Sequence, residues 1–396
     1  MTTAHHAADR WVRTWGASPQ LPDAAIAGLE PFADVTLRQE VRISGGGRRV
    51  RIRFTNEYGT AGLTIGAARV GLAAPAGGVR PGSDRVLTFD GRPTVTVPPG
   101  APMLSDPVDL RLPPLAQLSL SLYLPEPVKT CTCHGMGVQT CWTVPGNAVA
   151  IPGRPAHATS LPLQAFLSAV EVIPEGPAKT IVAVGDSLTD GFGSTPDTNR
   201  RWTDRLAERL IEHGGAAVHV SNQGISGNRM LNDGFGVSTL ARFDRDVLAT
   251  PGLGYVIVSE GLGDIAVSFA PREDDGPLAE FLKTFPGSPI TAEDIIAGYG
   301  QLIARAHGHG VKIYAATLTP YENDDMFAPE GESARQVVNT WIRTSGAFDG
   351  VLDFDAVWRD PADPRRIKDG FHAGDVHGSD AGYRALAGSI DLSLFE

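Results

Sequence analysis

The apolar residues change their period part-way along the chain, and that change limits the folds open to it. From residue 10 to about 170 the clear runs alternate. Val41-Arg-Ile43, Val50-Arg-Ile-Arg-Phe54 and Leu118-Ser-Leu-Ser-Leu-Tyr-Leu124 have period two, as half-buried strands do. Gly, Pro and Asp separate these runs, and no long helical pattern interrupts them. Such a segment is expected to form a β-sandwich or jelly roll. From residue 178 strands and helices alternate. Thr180-Ile-Val-Ala-Val184, Val218-His-Val220, Tyr255-Val-Ile-Val258, Val311 to Ala315 and Val351 to Phe354 have the apolar character of buried strands. Helical spacing marks Arg201 to His213, with Gly214-Gly215 as a stop, the stretch after Thr291-Ala-Glu-Asp294, and Ala334 to Arg343. This order predicts an α/β domain with a parallel sheet and helices on both faces.

At 396 residues the chain exceeds what one core usually serves, so two domains are expected, 1–174 and 175–396. A hydrophobic content of 42% with 20% charged residues fits a globular protein. The net charge of −11 argues against a nucleic-acid surface, which needs clustered Lys and Arg. No stretch approaches the roughly 20 apolar residues of a membrane span. Met1 to Trp15 has no apolar run and carries Asp9, Arg10 and Arg13, so no secretory signal is read there and a cytoplasmic location is expected. Three cysteines, Cys131, Cys133 and Cys141, are an odd number for a disulfide framework. With His134 they depart from zinc-site spacings, which favours buried thiols, and neither metal nor cofactor is expected. Oligomeric state is left open.

In parallel sheets the reactive groups lie beyond the carboxyl ends of the strands. Ser187 falls three residues past the run ending at Val184. A serine hydroxyl becomes a nucleophile only with a base in reach, a group that orients the base, and donors for the oxyanion. Four segments supply candidates in order: Gly185-Asp186-Ser187-Leu188, Asn222-Gln-Gly224-Ile-Ser-Gly227-Asn-Arg, Glu260-Gly-Leu-Gly263-Asp264-Ile265, and Asp375-Val-His377-Gly-Ser-Asp-Ala-Gly-Tyr383. Together they resemble the four blocks of the SGNH (GDSL) hydrolases. Thr14-Trp-Gly-Ala-Ser-Pro19 and the β-rich first half extend the resemblance to two-domain actinobacterial-type members.

The resemblance implies a flavodoxin-like three-layer domain and serine-dependent ester hydrolysis or acyl transfer. Ser187 would be the nucleophile, His377 the base and Asp375 its orienting carboxylate, with the N–H groups of Ser187 and Gly227 in the oxyanion hole. Esters, lactones and polyketide-like acyl compounds are the implied small-molecule partners. Two positions depart from the pattern. Gly263 stands where the third block normally has an asparagine that donates to the oxyanion. Only Val376 separates Asp375 from His377, where two residues are usual; Asp369-Gly-Phe-His372 has the usual spacing but sits further from the Gly-Ser-Asp-Ala-Gly-Tyr tail. These departures raise two other readings. One is a repurposed cyclase or lyase acting on a specialised metabolite; the other is a binding protein with a dead site.

Other residues have local readings. Asp186 suits a cap and Asn222 a turn. Asn228, after the Gly227 loop, and His372 are candidate substrate contacts. Cys133 to Thr140 resembles a β-domain segment of the two-domain members, which would bring His134 to the site rim. Residues 266–290 contain Phe269, Leu278, Phe281, Leu282 and Phe285 beside Asp274 and Asp275, and form either a lid or a packed helix. His307 and His309 read as solvated groups at a helix end, and His5 and His6 as an untethered terminus.

Overall fold

The computed structural model describes residues 10–22, 32–214, 217–272 and 275–396; His5, His6, Asp9, Gly215 and Asp274 lie outside them. In the first half, two antiparallel sheets share one core. One runs Val12–Gly16, Leu167–Ile173, Gly47–Asn56, Val108–Leu112. The other centres on Cys141–Pro145, Val35–Arg42, Gln117–Leu124 and Ala67–Ala74. Val50, Ile52 and Phe54 from the first meet Leu37, Val41, Leu118, Leu120 and Leu122 from the second. The alternation in Leu118–Leu124 misleads in one respect, because Ser119 and Ser121 on the other face are buried as well. Buried Arg38 covers that face, donating to Ser121 Oγ and to the carbonyls of Ile151 and Gly153.

The second half contains a five-stranded parallel sheet. Its order is Val218–Gly224, Lys179–Gly185, Leu253–Ser259, Lys312–Ala316, Gly350–Leu352. Chain order reverses beside Lys179–Gly185, the place where open α/β sheets form a crevice. Gly185 pairs with Gly224 on one side and Ser259 on the other, so three adjacent strands end at one level. Helices Trp202–Glu212, Ala292–Gly308, Pro329–Thr344 and Asp380–Ser389 contribute buried residues to the same core. Thr291 and Asp294 form a capping box at the start of the second of these. The expected strand to Phe354 stops at Leu352, because Asp353 caps a helix over Phe354–Trp358 by accepting from the Ala356 N–H.

The first half covers the edge of this sheet. Val220 N–H donates to Ser44 Oγ, Thr180 Oγ1 donates to the Arg13 carbonyl, and Arg13 N–H donates to the Pro251 carbonyl. The edge strand Val218–Gly224 thus has the Ser44 turn bonded against it, which limits the edge open to another chain. No described helix is long and apolar enough to cross a membrane.

Candidate active site

Ser187 opens a one-turn helix, Ser187–Asp190, directly after the strand Lys179–Gly185. Asp186 caps the turn, its Oδ1 accepting from the Leu188 N–H at 2.9 Å. Burial pushes the Asp186 carboxyl up to about 6, although the Leu188 N–H and nearby His377 pull the other way. Ser187 itself remains partly accessible.

His377 reaches Ser187 from the far end of the chain. Its Nε2 lies 2.9 Å from Ser187 Oγ, and its Nδ1 lies 3.0 Å from Asp375 Oδ1. A carboxylate accepts only, so Nδ1 carries the proton and Nε2 is left to accept from the serine hydroxyl. The short Asp375–His377 spacing has a physical basis. Asp375 Oδ1 also accepts the backbone N–H of His377 at 2.9 Å, and this local turn brings ring and carboxylate together with one residue between them. The hydrogen bond from His377 holds the Asp375 carboxyl below its ordinary range. Phe192 packs edge-on to the imidazole at 4.7 Å between centroids.

The second block forms the opposite wall. Gly227 has φ +75°, a left-handed conformation that favours glycine, and a Cβ there would meet the Phe235 ring at 2.4 Å. Among the described residues the N–H groups of Ser187 and Gly227 have no hydrogen-bond partner. Gly263 lies in the first turn of the helix Leu262–Phe269. A Cβ built on it would fall 2.7 Å from the Asn228 carbonyl oxygen. A side chain here would require the Asn228 backbone to shift, which gives the departure at this position a steric setting.

A pocket of about 250 Å³ opens beside Ser187 and His377. Its walls are largely apolar, with Leu262, Val267, Phe235, Phe281, Phe285 and Met326. The Phe235 and Phe285 rings lie 5.2 Å apart, and Phe281 and Phe285 5.1 Å apart. Within residues 266–290 the packed helix is found, and two of the phenylalanines face the pocket. Pro277–Leu282 is a packed helix whose Leu282 sits against Val267 and Ala270, while Phe281 and Phe285 line the pocket. Arg229 ties this segment to the second block, donating to the Asp233 and Pro286 carbonyls and lying over the Phe285 ring.

Of the three candidate contacts, Asn228 adjoins the pocket, while His372 and His134 are placed elsewhere. His372 accepts from the Gly374 N–H through Nδ1 and stiffens its own loop rather than meeting Ser187. Asn228 adjoins the pocket, but its side chain is spent beneath it. Its Nδ2 donates to the Val237 carbonyl, and its Oδ1 accepts from Thr239 and Arg242. His134 is not at the rim. It is 4% exposed and lies below the pocket floor, bonded to Asp190 and Ser18, while Met136 from the same segment reaches the pocket. Cys131, Cys133 and Cys141 are free thiols, the last two buried, and burial pushes the Cys141 thiol up to about 12. His307 is paired with Asp349 at 2.9 Å rather than simply solvated.

The model of the GDSL-like lipase/acylhydrolase family matches residues 183–385. The chain belongs to this family. Among solved structures, the native aryl esterase of M. smegmatis is similar at 20% identity and TM-score 0.39, covering 53% of this chain and 95% of that one. A lipase/acylhydrolase from Enterococcus faecalis has 19% identity and TM-score 0.39, with 54% and 93% covered. A carbohydrate acetylesterase family member from Sinorhizobium meliloti has 17% identity and TM-score 0.38, with 53% and 94% covered. No curated protein matches. Within the family match, residues passed over in the sequence prove central to the site's support. Asp190 and Ser226 bond each other under the second block. Arg242, fully buried, donates to the Gly185 and Gln223 carbonyls and to Asn228. A buried arginine between strand ends leaves no periodic trace; Asp190, three residues after Ser187, was the available clue.

Proposed function

We propose that the protein hydrolyses esters, or transfers their acyl groups, through a covalent intermediate on Ser187. The observation that carries this is the 2.9 Å contact of His377 Nε2 with Ser187 Oγ, with Asp375 on the other ring nitrogen. Ser187 Oγ attacks the ester carbonyl carbon while its proton passes to His377 Nε2. The oxyanion meets the N–H groups of Ser187 and Gly227. Collapse expels the alkoxide, which takes the proton from His377. Water, or an acceptor alcohol in acyl transfer, then attacks the acyl-enzyme, gives its proton to His377, and releases Ser187 with its hydrogen restored. With no side chain at Gly263 the hole lacks one donor, and such a loss typically costs about 10²–10³ in rate. Slow turnover is therefore expected.

The apolar walls favour esters with a short alkyl or aryl group facing Phe235, Phe281 and Phe285. This reading includes the division of the chain at 174/175, with the C-terminal part as the catalytic domain. The assembled Ser187–His377–Asp375 geometry supports it over the cyclase, lyase and binding-protein readings. The test is hydrolysis of 4-nitrophenyl butyrate by the intact chain and by Ser187→Ala. Release of 4-nitrophenol that vanishes in the variant is expected. Equal turnover in both would remove Ser187 from the reaction.

A further inference from the structure

We propose that His134 is a positioning residue: an imidazolium supplied by the β-rich first half that, paired with Asp190, clamps the Ser226–Gly227 loop behind Ser187. This rests on the ester-hydrolase reading above and deepens it.

His134 opens onto two acceptors. Its Nδ1 lies 2.9 Å from the Ser18 carbonyl oxygen, and its Nε2 lies 2.9 Å from Asp190 Oδ1. A backbone carbonyl cannot donate, so Nδ1 carries a proton. An ionised Asp190 requires a second proton on Nε2. His134 and Asp190 are 4% and 3% exposed, so each charge is costly without the other. Burial alone would lower the imidazole pKa, but the charge and hydrogen bond of Asp190 and the Ser18 carbonyl outweigh it and raise the value. For Asp190, burial is outweighed by the charge and hydrogen bond of His134 and by the Ser226 hydroxyl, and its carboxyl is lowered. Arg201, the other cation facing the pair, opposes protonation of His134 and favours ionised Asp190. It also binds the local backbone, donating to the carbonyls of Asp190 and Gly137.

The second oxygen of Asp190 accepts from Ser226 twice, from the N–H at 3.0 Å and from Oγ at 2.7 Å. Asp190 closes the one-turn helix that Ser187 opens. One carboxylate therefore joins the helix that carries the nucleophile to the residue before Gly227, and His134 holds that carboxylate from below. The turn after His134 is fitted to this arrangement, since a Cβ on Gly137 would come 2.6 Å from the imidazole. A clamp of this kind acts on oxyanion stabilisation rather than on the apolar wall. Its loss should appear in kcat and spare KM.

The test compares the intact chain with His134→Gln and Asp190→Asn. The readouts are 4-nitrophenyl butyrate kinetics, amide hydrogen exchange at Ser226 and Gly227, and the ring ¹⁵N shifts of His134. The expected result is a fall in kcat of about 10–100-fold with KM within about twofold. Ser226 exchange should speed up at least tenfold in either variant, while the central strand Leu253–Ser259 keeps its protection. In the unmodified protein both His134 ring nitrogens should be protonated at pH 7. If His134→Gln does not fold, Asp190→Asn, which keeps the shape and removes the charge, decides. Unchanged Ser226 exchange, a neutral His134, or a loss confined to KM would overturn the clamp. An unmodified protein without esterase activity, but with a protonated His134 and variant-sensitive Ser226 exchange, would overturn the ester reading and still support the clamp.

Discussion

The two walls of the Ser187 pocket are built differently. The His377 wall is a short loop near the surface, with the Asp375 side chain 49% exposed and that of His377 18% exposed. Its geometry comes from local bonds: Asp375 to the ring and N–H of His377, and the Ala373 N–H to the His377 carbonyl. The Ser226–Arg229 wall is buried, and its bonds come from distant parts of the chain. Arg242, Asp190, His134 and Asp264 all support it, the last through the N–H groups of Met230 and Leu231. A locally bonded loop can absorb a change in spacing, and the Asp375–Val376–His377 segment does so. A wall packed against a neighbouring helix has less freedom, and Gly263 meets it at backbone distance.

The largest effect should come where the walls meet. Ser187→Ala should reduce ester turnover by at least about 10³-fold at unchanged thermal stability, measured on 4-nitrophenyl butyrate. A smaller loss would mean that the two walls act without the serine between them.

On the exposed wall, Asp375→Asn should lower kcat by about 10–100-fold, less than for a fully buried triad carboxylate, because solvent shares the work of orienting His377. A fall as large as that of Ser187→Ala would make this wall as dependent on its carboxylate as the buried wall is on its network.

Gly263→Asn tests the buried wall sterically. The new Cβ would press on the Asn228 carbonyl, so the substitution should destabilise the protein by about 1–3 kcal/mol and fail to raise kcat, by denaturant melts and kinetics. A stable, faster enzyme would show that the contact yields easily and that the donor alone was missing.

The smallest effect concerns pH. Burial pushes the Asp264 carboxyl up to about 6. A raised carboxyl makes the folded state the better proton binder, so its contribution to stability falls as pH rises from about 4 to 6. Asp264→Asn should flatten that part of the stability profile, read from urea midpoints at pH 4.5 and 7. An unaltered slope would assign the pH dependence to other groups.

The same contrast governs how much was legible in the sequence. Ser187 stands where a strand run ends and a glycine-flanked turn begins, and four ordered blocks mark it. His377 was legible from the tail that follows it, because that wall is built from neighbours in sequence. The buried wall was not. His134 meets Asp190 across 56 positions, and Arg242 meets Ser18 across 224. Neither pairing leaves a period or a spacing to read. The resemblance of Cys133 to Thr140 to a β-domain segment points His134 to the rim, yet Met136 makes that contact while His134 turns down to Asp190. The alternating strand Leu118–Leu124 hid its second covered face for the same reason: Arg38, which covers it, lies on another strand.

Ser187 Oγ is proposed as the activated nucleophile of this pocket. The most direct measurement is reaction of the intact chain with an alkyl fluorophosphonate, followed by peptide mass mapping, beside His377→Ala. A single adduct on Ser187, forming at least about 100-fold more slowly without His377, is the predicted result. No adduct on Ser187, or one formed equally fast in His377→Ala, would contradict it.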